Sequence, residues 1–346
     1  MISLLKNGRA LLIITPENRR YLTGFHSSLG YLLIFNNQQI LLLDSRYFEA
    51  AKKSITDKNI TLVLLKNIFE QLKAYIEENG IEEILVETEN RYCDIEPLND
   101  LPVNILFSSS LSEALTQRRA VKNETEVKNI TKALRIAEKA LKETMNIIKA
   151  GVTENEVAAY LEYKMKSFGS ENTAFETIVL AGKRTSLPHG VPTNYKIKSG
   201  DPILLDFGAT YNGYKSDITR TFFVNCVSDK NAEIYNMVLN ANKIGFKELK
   251  NDVDLYLPDL KARESFLDYA RYFTHSLGHG VGLEIHESPN LSPKAKGKLT
   301  NGNIVTVEPG LYFEGKLGIR IEDMVLITQN KAKLLTKFPK KLTVIK

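Results

Sequence analysis

The chain is poor in cysteine. Its 346 residues include two, Cys93 and Cys226, far apart and in no Cys-X-X-Cys spacing. That argues against a disulfide framework and a thiolate metal site, and it fits a reducing compartment, so a cytoplasmic location is expected. A long hydrophobic run is also missing. The apolar segment 10–14 is too short to span a bilayer and no small-residue cleavage site follows it, so it reads as a buried strand, and no membrane partner is expected. Nor is basic charge concentrated. The net charge is +5, but Lys and Arg are interleaved with Asp and Glu along the chain, which disfavours nucleic-acid binding. Histidine is scarce, with five in all. Three of these fall in one stretch, His275-Ser276-Leu277-Gly278-His279-Gly280-Val281-Gly282-Leu283-Glu284-Ile285-His286-Glu287, where glycines at 278, 280 and 282 are expected to let the backbone bend tightly and approach a ligand.

The length leaves room for about two domains. Residues 1–118 alternate strand and helix patterns, with strands at 10–14, 31–35, 40–43, 60–65, 84–87 and 103–107 and helices at 47–54 and 68–79. This is an α/β domain with a mixed sheet covered by helices. The polar segment 111–123 carries the domain boundary. In 119–346 an amphipathic helix at 124–150 ends at Gly151. A capping box of Thr153 and Glu156 opens the next helix, to 168. Strands follow at 176–181, 202–211 and 214–224. The order then repeats, with helices at 229–250 and 259–272 and strands at 304–311 and 317–327. The halves share element order without sequence identity, the sign of an α+β pseudo-repeat.

Asn212-Gly213 between apolar runs is a hairpin turn. A two-residue turn sets Tyr211 against Tyr214 and Asp206 against Thr219, with Asp217 opposite Gly208. Asp206 and Asp217 then share a face as diagonal neighbours, and their charges repel unless a proton or cation lies between them. Taken alone, the pair reads more readily as two solvent-facing aspartates on an exposed hairpin. In the second half, Glu308 follows the apolar run 304–307, where an acid is unwelcome. Arg320 and Glu322 share a face. A buried Arg–Glu pair fixing the sheet would account for Arg320 but not for Glu308. With His279 added, the four carboxylates carry a nominal charge of −4, which two divalent ions neutralise and one does not. Two such ions suit amide hydrolysis, one polarising the carbonyl and the pair activating a water. Hard oxygen donors with one His favour Mn²⁺, or Co²⁺ or Zn²⁺ in vitro. Periodicity makes this site possible without bringing the five residues together.

Asp206-Phe207-Gly208-Ala209, Ser216-Asp217-Ile218-Thr219-Arg220-Thr221, the His275–Gly282 stretch, Glu308-Pro309-Gly310 and Arg320-Ile321-Glu322-Asp323 resemble, in order and spacing, the Xaa-Pro peptidases. These are aminopeptidase P and prolidase, in the creatinase/methionine-aminopeptidase superfamily. Asn18-Arg19-Arg20-Tyr21-Leu22-Thr23-Gly24-Phe25 and Leu43-Asp44-Ser45-Arg46-Tyr47 resemble the non-catalytic N-terminal domain of the same family. The resemblance implies a creatinase-like domain at 1–118 and a pita-bread catalytic domain at 119–346. It implies Asp206, Asp217, His279, Glu308 and Glu322 as ligands of two metal ions, with Glu308 also shuttling a proton. His189 would contact substrate near the scissile bond, and His286 would donate to the developing oxyanion or the leaving proline nitrogen. Arg320 would hold either the site carboxylates or the substrate carboxylate. His275 is expected to be structural, His26 has no assigned role, and Tyr211 and Thr219 are weaker candidates for contacts beside the ligands. The implied substrate is a peptide with proline in second position and a free N-terminus, and the implied assembly is a homodimer. Because 286–290 has no Arg, the reading tilts to an Xaa-Pro aminopeptidase over an Xaa-Pro dipeptidase. Methionine aminopeptidase activity and a non-catalytic binding role stand behind both.

Overall fold

The computed structural model describes residues 4–6 and 8–346. The chain divides into two compact units, Met1–Arg119 and Ala120–Lys346.

The first unit is built on a six-stranded sheet. In chain order its elements are β1 (Arg9–Ile13), α1 (Pro16–Thr23), β2 (Tyr31–Phe35), β3 (Gln38–Leu43), α2 (Ser45–Ser54), β4 (Ile60–Leu64), α3 (Ile68–Asn79), β5 (Glu83–Val86), α4 (Tyr92–Ile95) and β6 (Asn104–Phe107). The strand order is β4-β3-β2-β1-β5-β6, with antiparallel pairs in the middle and parallel pairs outside. Both faces are covered. Leu12, Leu33 and Leu42 enter one core, and Leu11, Ile13, Leu32 and Leu41 the other. This explains why these strands read as unbroken apolar runs instead of alternating ones. Helix α5 (Ser109–Ala120) occupies most of the segment expected to be a polar boundary. Its buried Leu111 and Leu115 lie four apart on one face, a spacing that the surrounding Ser, Gln and Arg residues mask.

The second unit repeats one plan. Helices α6 (Glu124–Thr144) and α7 (Glu154–Ser167) precede β7 (Ile178–Ala181), β8 (Pro202–Phe207), β9 (Thr210–Tyr211), β10 (Tyr214–Lys215) and β11 (Ile218–Val224). Helices α8 (Asp229–Glu248) and α9 (Leu257–Glu264) precede β12 (Gly278–Gly280), β13 (Glu287–Leu291), β14 (Ile304–Val307), β15 (Gly310–Phe313), β16 (Leu317–Arg320), β17 (Asp323–Ile327), β18 (Ala332–Leu334) and β19 (Val344–Ile345). The expected capping box of Thr153 with Glu156 opens α7, and a second, Asn123 with Glu126, opens α6. Leu134, Leu141, Val157 and Leu161 pack α6 and α7 against Leu205 and Phe207 of β8 in one core, and Ile234 and Val238 of α8 meet Val305 and Val307 of β14 in the other. The single helix expected over 259–272 is instead α9 followed by a 3-10 helix, Leu267–Tyr272. Leu267, the first residue of the 3-10 helix, has φ 51°, which an α-helix cannot accommodate.

The hairpin register is the expected one. Tyr211 pairs with Tyr214 and Asp206 with Thr219. The strand expected over 202–211 breaks at Gly208, where a Cβ would lie 1.8 Å from the Ser216 carbonyl oxygen. No helix among the described residues is long and apolar enough to cross a membrane.

Candidate metal centre

The four-stranded and five-stranded sheets of the second unit each bring carboxylates to one cavity of about 1100 Å³. Asp206 sits on β8, and Asp217 immediately precedes β11. Glu308 and Glu322 occupy the gap between two ladders. Val307 pairs with Asp323 and Gly310 with Arg320, and continuing that register sets Glu308 opposite Glu322. His279 lies at the centre of β12.

The glycines flanking His279 do not bend the chain. None of residues 278, 280 and 282 is among the positive-φ glycines. Their contribution is close packing of strands. A Cβ at Gly278 would lie 2.0 Å from the Thr306 carbonyl oxygen, and one at Gly280 would lie 2.2 Å from that of Ser288. What the bare backbone approaches is the neighbouring strand, not a ligand.

His279 Nδ1 lies 3.1 Å from the Gly280 carbonyl oxygen, a bond in which the ring nitrogen must donate. That leaves Nε2 facing the carboxylates, 3.3 Å from Glu308 Oε1 and 3.6 Å from Asp217 Oδ2. Donor atoms of Asp217, His279 and Glu322 all lie within 4.8 Å of one another. Three carboxylate oxygens here, Asp206 Oδ1, Asp217 Oδ1 and Glu322 Oε1, are buried without a hydrogen-bond partner. An unsatisfied buried polar group costs about 1–3 kcal/mol, and more if charged, so three in one cavity make a poor core and a good cation site. The residues present therefore fit a divalent metal.

Burial and then the neighbouring carboxylates Glu322, Asp206 and Glu308 push Asp217 well above the usual carboxylate range. Burial, with Glu308 and Asp206, does the same to Glu322. Burial also acts on Glu308, but its hydrogen bond and attraction to His279 prevail and hold it at about 2. His279 in turn is raised, because Glu308 outweighs the effect of burial.

Arg320, 3% exposed, has its guanidinium engaged inside the protein. Nη2 donates to Asp206 Oδ2 at 2.5 Å, Nε to Thr219 Oγ1 at 3.1 Å and Nη1 to Tyr312 Oη at 2.6 Å. Of the two roles open to it, the structure displays the carboxylate tether. Thr219 also donates to Glu322 Oε2 at 2.8 Å, so it does touch the site. Tyr211 does not. It packs against the core under α6 and α7. His275 Nε2 lies 2.9 Å from Tyr312 Oη, which makes it a support for the residue that supports Arg320.

His286 and His189 are exposed and line the same cavity. The His286 ring stands edge-on to His279, with centroids 4.3 Å apart. His26 is exposed in the first unit. Sequence reasoning missed Tyr312, Thr306 and Asn242. Thr306 Oγ1 accepts from the His279 backbone N–H at 3.0 Å and lies 3.3 Å from Glu308 Oε1. Its position two residues before Glu308 was the available signal. Asn242 of α8 donates to the carbonyls of Val307 and Ile321, the residues just before Glu308 and Glu322, at 2.8 and 3.3 Å. Nothing in the helix sequence announces that contact.

Carboxylates and one imidazole brought together by two repeated half-domains define a metal-dependent hydrolase. A model of metallopeptidase family M24 matches residues 128–329, and one of the creatinase/prolidase N-terminal domain matches residues 6–99. The chain belongs to metallopeptidase family M24, and its second unit has the pita-bread fold of that family's solved members. It is 39% identical over 336 residues to a Xaa-Pro dipeptidase of Pyrococcus horikoshii, covering 96% of this chain and 94% of that one. A solved Xaa-Pro dipeptidase from Bacillus anthracis superposes with a TM-score of 0.92 at 35% identity, covering 97% and 94% of the two chains. An X-Pro aminopeptidase from Thermotoga maritima superposes with a TM-score of 0.88 at 36% identity, covering 97% and 95%.

Proposed function

We propose that this protein is an Xaa-Pro aminopeptidase that hydrolyses the bond between a free N-terminal residue and a proline in second position. The observation that carries the reading is the cluster of Asp206, Asp217, His279, Glu308 and Glu322, with three carboxylate oxygens buried and unpartnered, at the base of a cavity that His189 and His286 also line. These five residues would hold two divalent ions. Hard oxygen donors with one imidazole suit manganese, or cobalt or zinc in vitro, over a thiolate-seeking metal. When bound, the ions polarise the scissile carbonyl and activate water near neutral pH. Glu308 takes the proton released by the attacking water and passes it toward the proline nitrogen. His286 donates to the carbonyl oxygen as charge develops on it, or to the leaving nitrogen. His189 holds the substrate beside the scissile bond, and Arg320 holds Asp206.

Aminopeptidase is preferred over dipeptidase on charge. Among the described residues lining the cavity, Arg320 is the only Lys or Arg, and its guanidinium is engaged by Asp206, Thr219 and Tyr312. A bound dipeptide would bring its C-terminal carboxylate close to this cluster of acids with no free cation from the same chain to receive it. A tripeptide carries that carboxylate further out. The second reading, an Xaa-Pro dipeptidase, is favoured by the names of the P. horikoshii and B. anthracis relatives. It needs a cation from elsewhere, for which the partner copy of a homodimer is the natural source. The reducing cytoplasm is the compartment that two exposed, unpaired cysteines fit.

The test is turnover of purified, Mn²⁺-loaded protein on Xaa-Pro, Xaa-Pro-Xaa and Met-Ala-Xaa peptides. Cleavage of the tripeptide at least as fast as the dipeptide supports the aminopeptidase. Cleavage of the dipeptide alone establishes the dipeptidase, and preference for Met-Ala-Xaa a methionine aminopeptidase. No cleavage together with no bound metal leaves a binding protein on an enzyme fold.

A further inference from the structure

The ion pair between Lys122 and Glu287 is deeply buried and includes none of the five candidate metal ligands. Its side chains are 1% and 6% exposed, and its partners lie 165 residues apart. Ions taken out of water gain little net stability from pairing, so such a pair is better read as fixing geometry. Lys122 is itself fixed. Its backbone N–H donates to the Gly302 carbonyl at 2.9 Å, and its Nζ also reaches the Ala120 carbonyl at 3.4 Å. Glu287 immediately follows His286 and pairs with Gly280, the neighbour of His279, at the start of β13. Its carboxylate occupies the space beside Gly282, where a Cβ would come within 2.2 Å of Oε1. From there it receives the Glu284 backbone N–H at 3.5 Å. The chain from Gly282 to Glu287 is thus folded around the Glu287 carboxylate, and His286, an exposed side chain on that segment, has its backbone set by the residue beside it.

We propose that Lys122 is a positioning residue for the peptidase reaction: through its buried bond to Glu287 it fixes the 282–287 segment and so sets where the His286 ring stands over the metal cluster. This rests on the role given above to His286. Lys122 is none of the candidate ligands and does not line the cavity, and the proposed effect on His286 passes through Glu287.

The experiment compares Lys122→Met, Gly282→Ala, His286→Ala and the Lys122→Met/His286→Ala double variant in the full chain. Each is measured for kcat and KM on an Xaa-Pro-Xaa peptide and for Mn²⁺ binding by titration calorimetry. Misplacing an acting group by about 1 Å costs on the order of a hundredfold in rate, so Lys122→Met is expected to lower kcat by about ten- to a hundredfold. KM and Mn²⁺ affinity should stay near wild type. Gly282→Ala displaces the Glu287 carboxylate with Lys122 intact and should give the same kcat loss, which keeps the proposal testable if Lys122→Met does not fold. In the His286→Ala background, Lys122→Met should cost nothing further. The His286 Cε1–H resonance should move in Lys122→Met while that of His275 stays in place. Wild-type kcat in a folded Lys122→Met would overturn the proposal. So would a multiplicative loss in the double variant, or a fall in Mn²⁺ affinity matching the fall in kcat. A His286→Ala protein with wild-type turnover would remove the role of His286 itself, and the proposal with it. An inactive His286→Ala with a multiplicative double variant removes only the role of Lys122.

Discussion

Arg320 carries the cavity's buried positive charge, and its partners divide the acids into two kinds. Asp206 receives its guanidinium on one oxygen and Glu308 faces His279, whereas Asp217 and Glu322 pair with no Arg or Lys among the described residues, and Asp206, Asp217 and Glu322 each keep one unpartnered oxygen. The last two therefore depend most on a cation. Asp217→Ala is expected to abolish metal binding and turnover together, as read by metal analysis after dialysis and by peptide assay. Retained activity would remove Asp217 from the centre. Arg320→Met should act more mildly. It frees Asp206 without deleting a ligand, and the loss of such a supporting partner typically costs about 10- to 100-fold in metal affinity or activity. Titration calorimetry with Mn²⁺ alongside kcat separates the two. Full wild-type behaviour would show that the tether is dispensable.

At the scale of elements, the strand carrying His279 depends on what its neighbours lack. Gly278→Ala would drive a methyl into the Thr306 carbonyl. It is expected to cost at least the roughly 1–3 kcal/mol of an overpacked interior site, seen as a lowered urea midpoint. Asn123→Ala, which removes the cap of α6 far along the chain from the ligands, should cost about 1 kcal/mol and leave kcat alone. Elements with a local cause could be read from the sequence. The α7 capping box and the Asn212-Gly213 turn fix their own surroundings, and the turn carried the pairing of Asp206 with Thr219 with it. The short strand β12 could not be read this way. Three residues, two of them glycine, have no strand propensity of their own, and this strand exists because β13 and β14 flank it. The cross-chain contacts of Asn242 and Tyr312 were equally invisible, since each depends on tertiary packing of distant segments. For the cluster itself, resemblance named all five residues, and pattern alone supplied only the two hairpin pairs.

At the scale of the whole molecule, the cavity links stability to pH. In the folded, metal-free protein Asp217 and Glu322 keep protons at pH values where the unfolded chain has released them. Unfolding therefore releases protons, and stability falls as pH rises above the ordinary values of 3.8 and 4.5 toward the raised folded ones. His279, also raised, adds a loss of the same sign as pH climbs from its ordinary 6.5 through its folded value. Glu308, held at about 2, contributes stability that is full above its ordinary 4.5 and fades only as pH drops toward 2, so it offsets none of the loss near neutrality. A divalent cation displaces the retained protons. The rise in Tm on adding Mn²⁺ should therefore grow between about pH 5 and pH 8, as measured by calorimetry with and without chelator. A shift that is flat or shrinks with pH would contradict the protonated carboxylates.

Asp206 lies on β8 and Asp217 just before β11 in the first half of the unit, and His279 lies on β12 with Glu308 just after β14 and Glu322 just before β17 in the second. An ion held by both sets would act mechanically as a rivet between two leaves of one fold, in addition to any part in chemistry. Stripping it should raise hydrogen–deuterium exchange in β8 and β11 and in β14 and β17 together, across a seam that the chain crosses between Val224 and Gly278 and again where β19 returns to pair with β11.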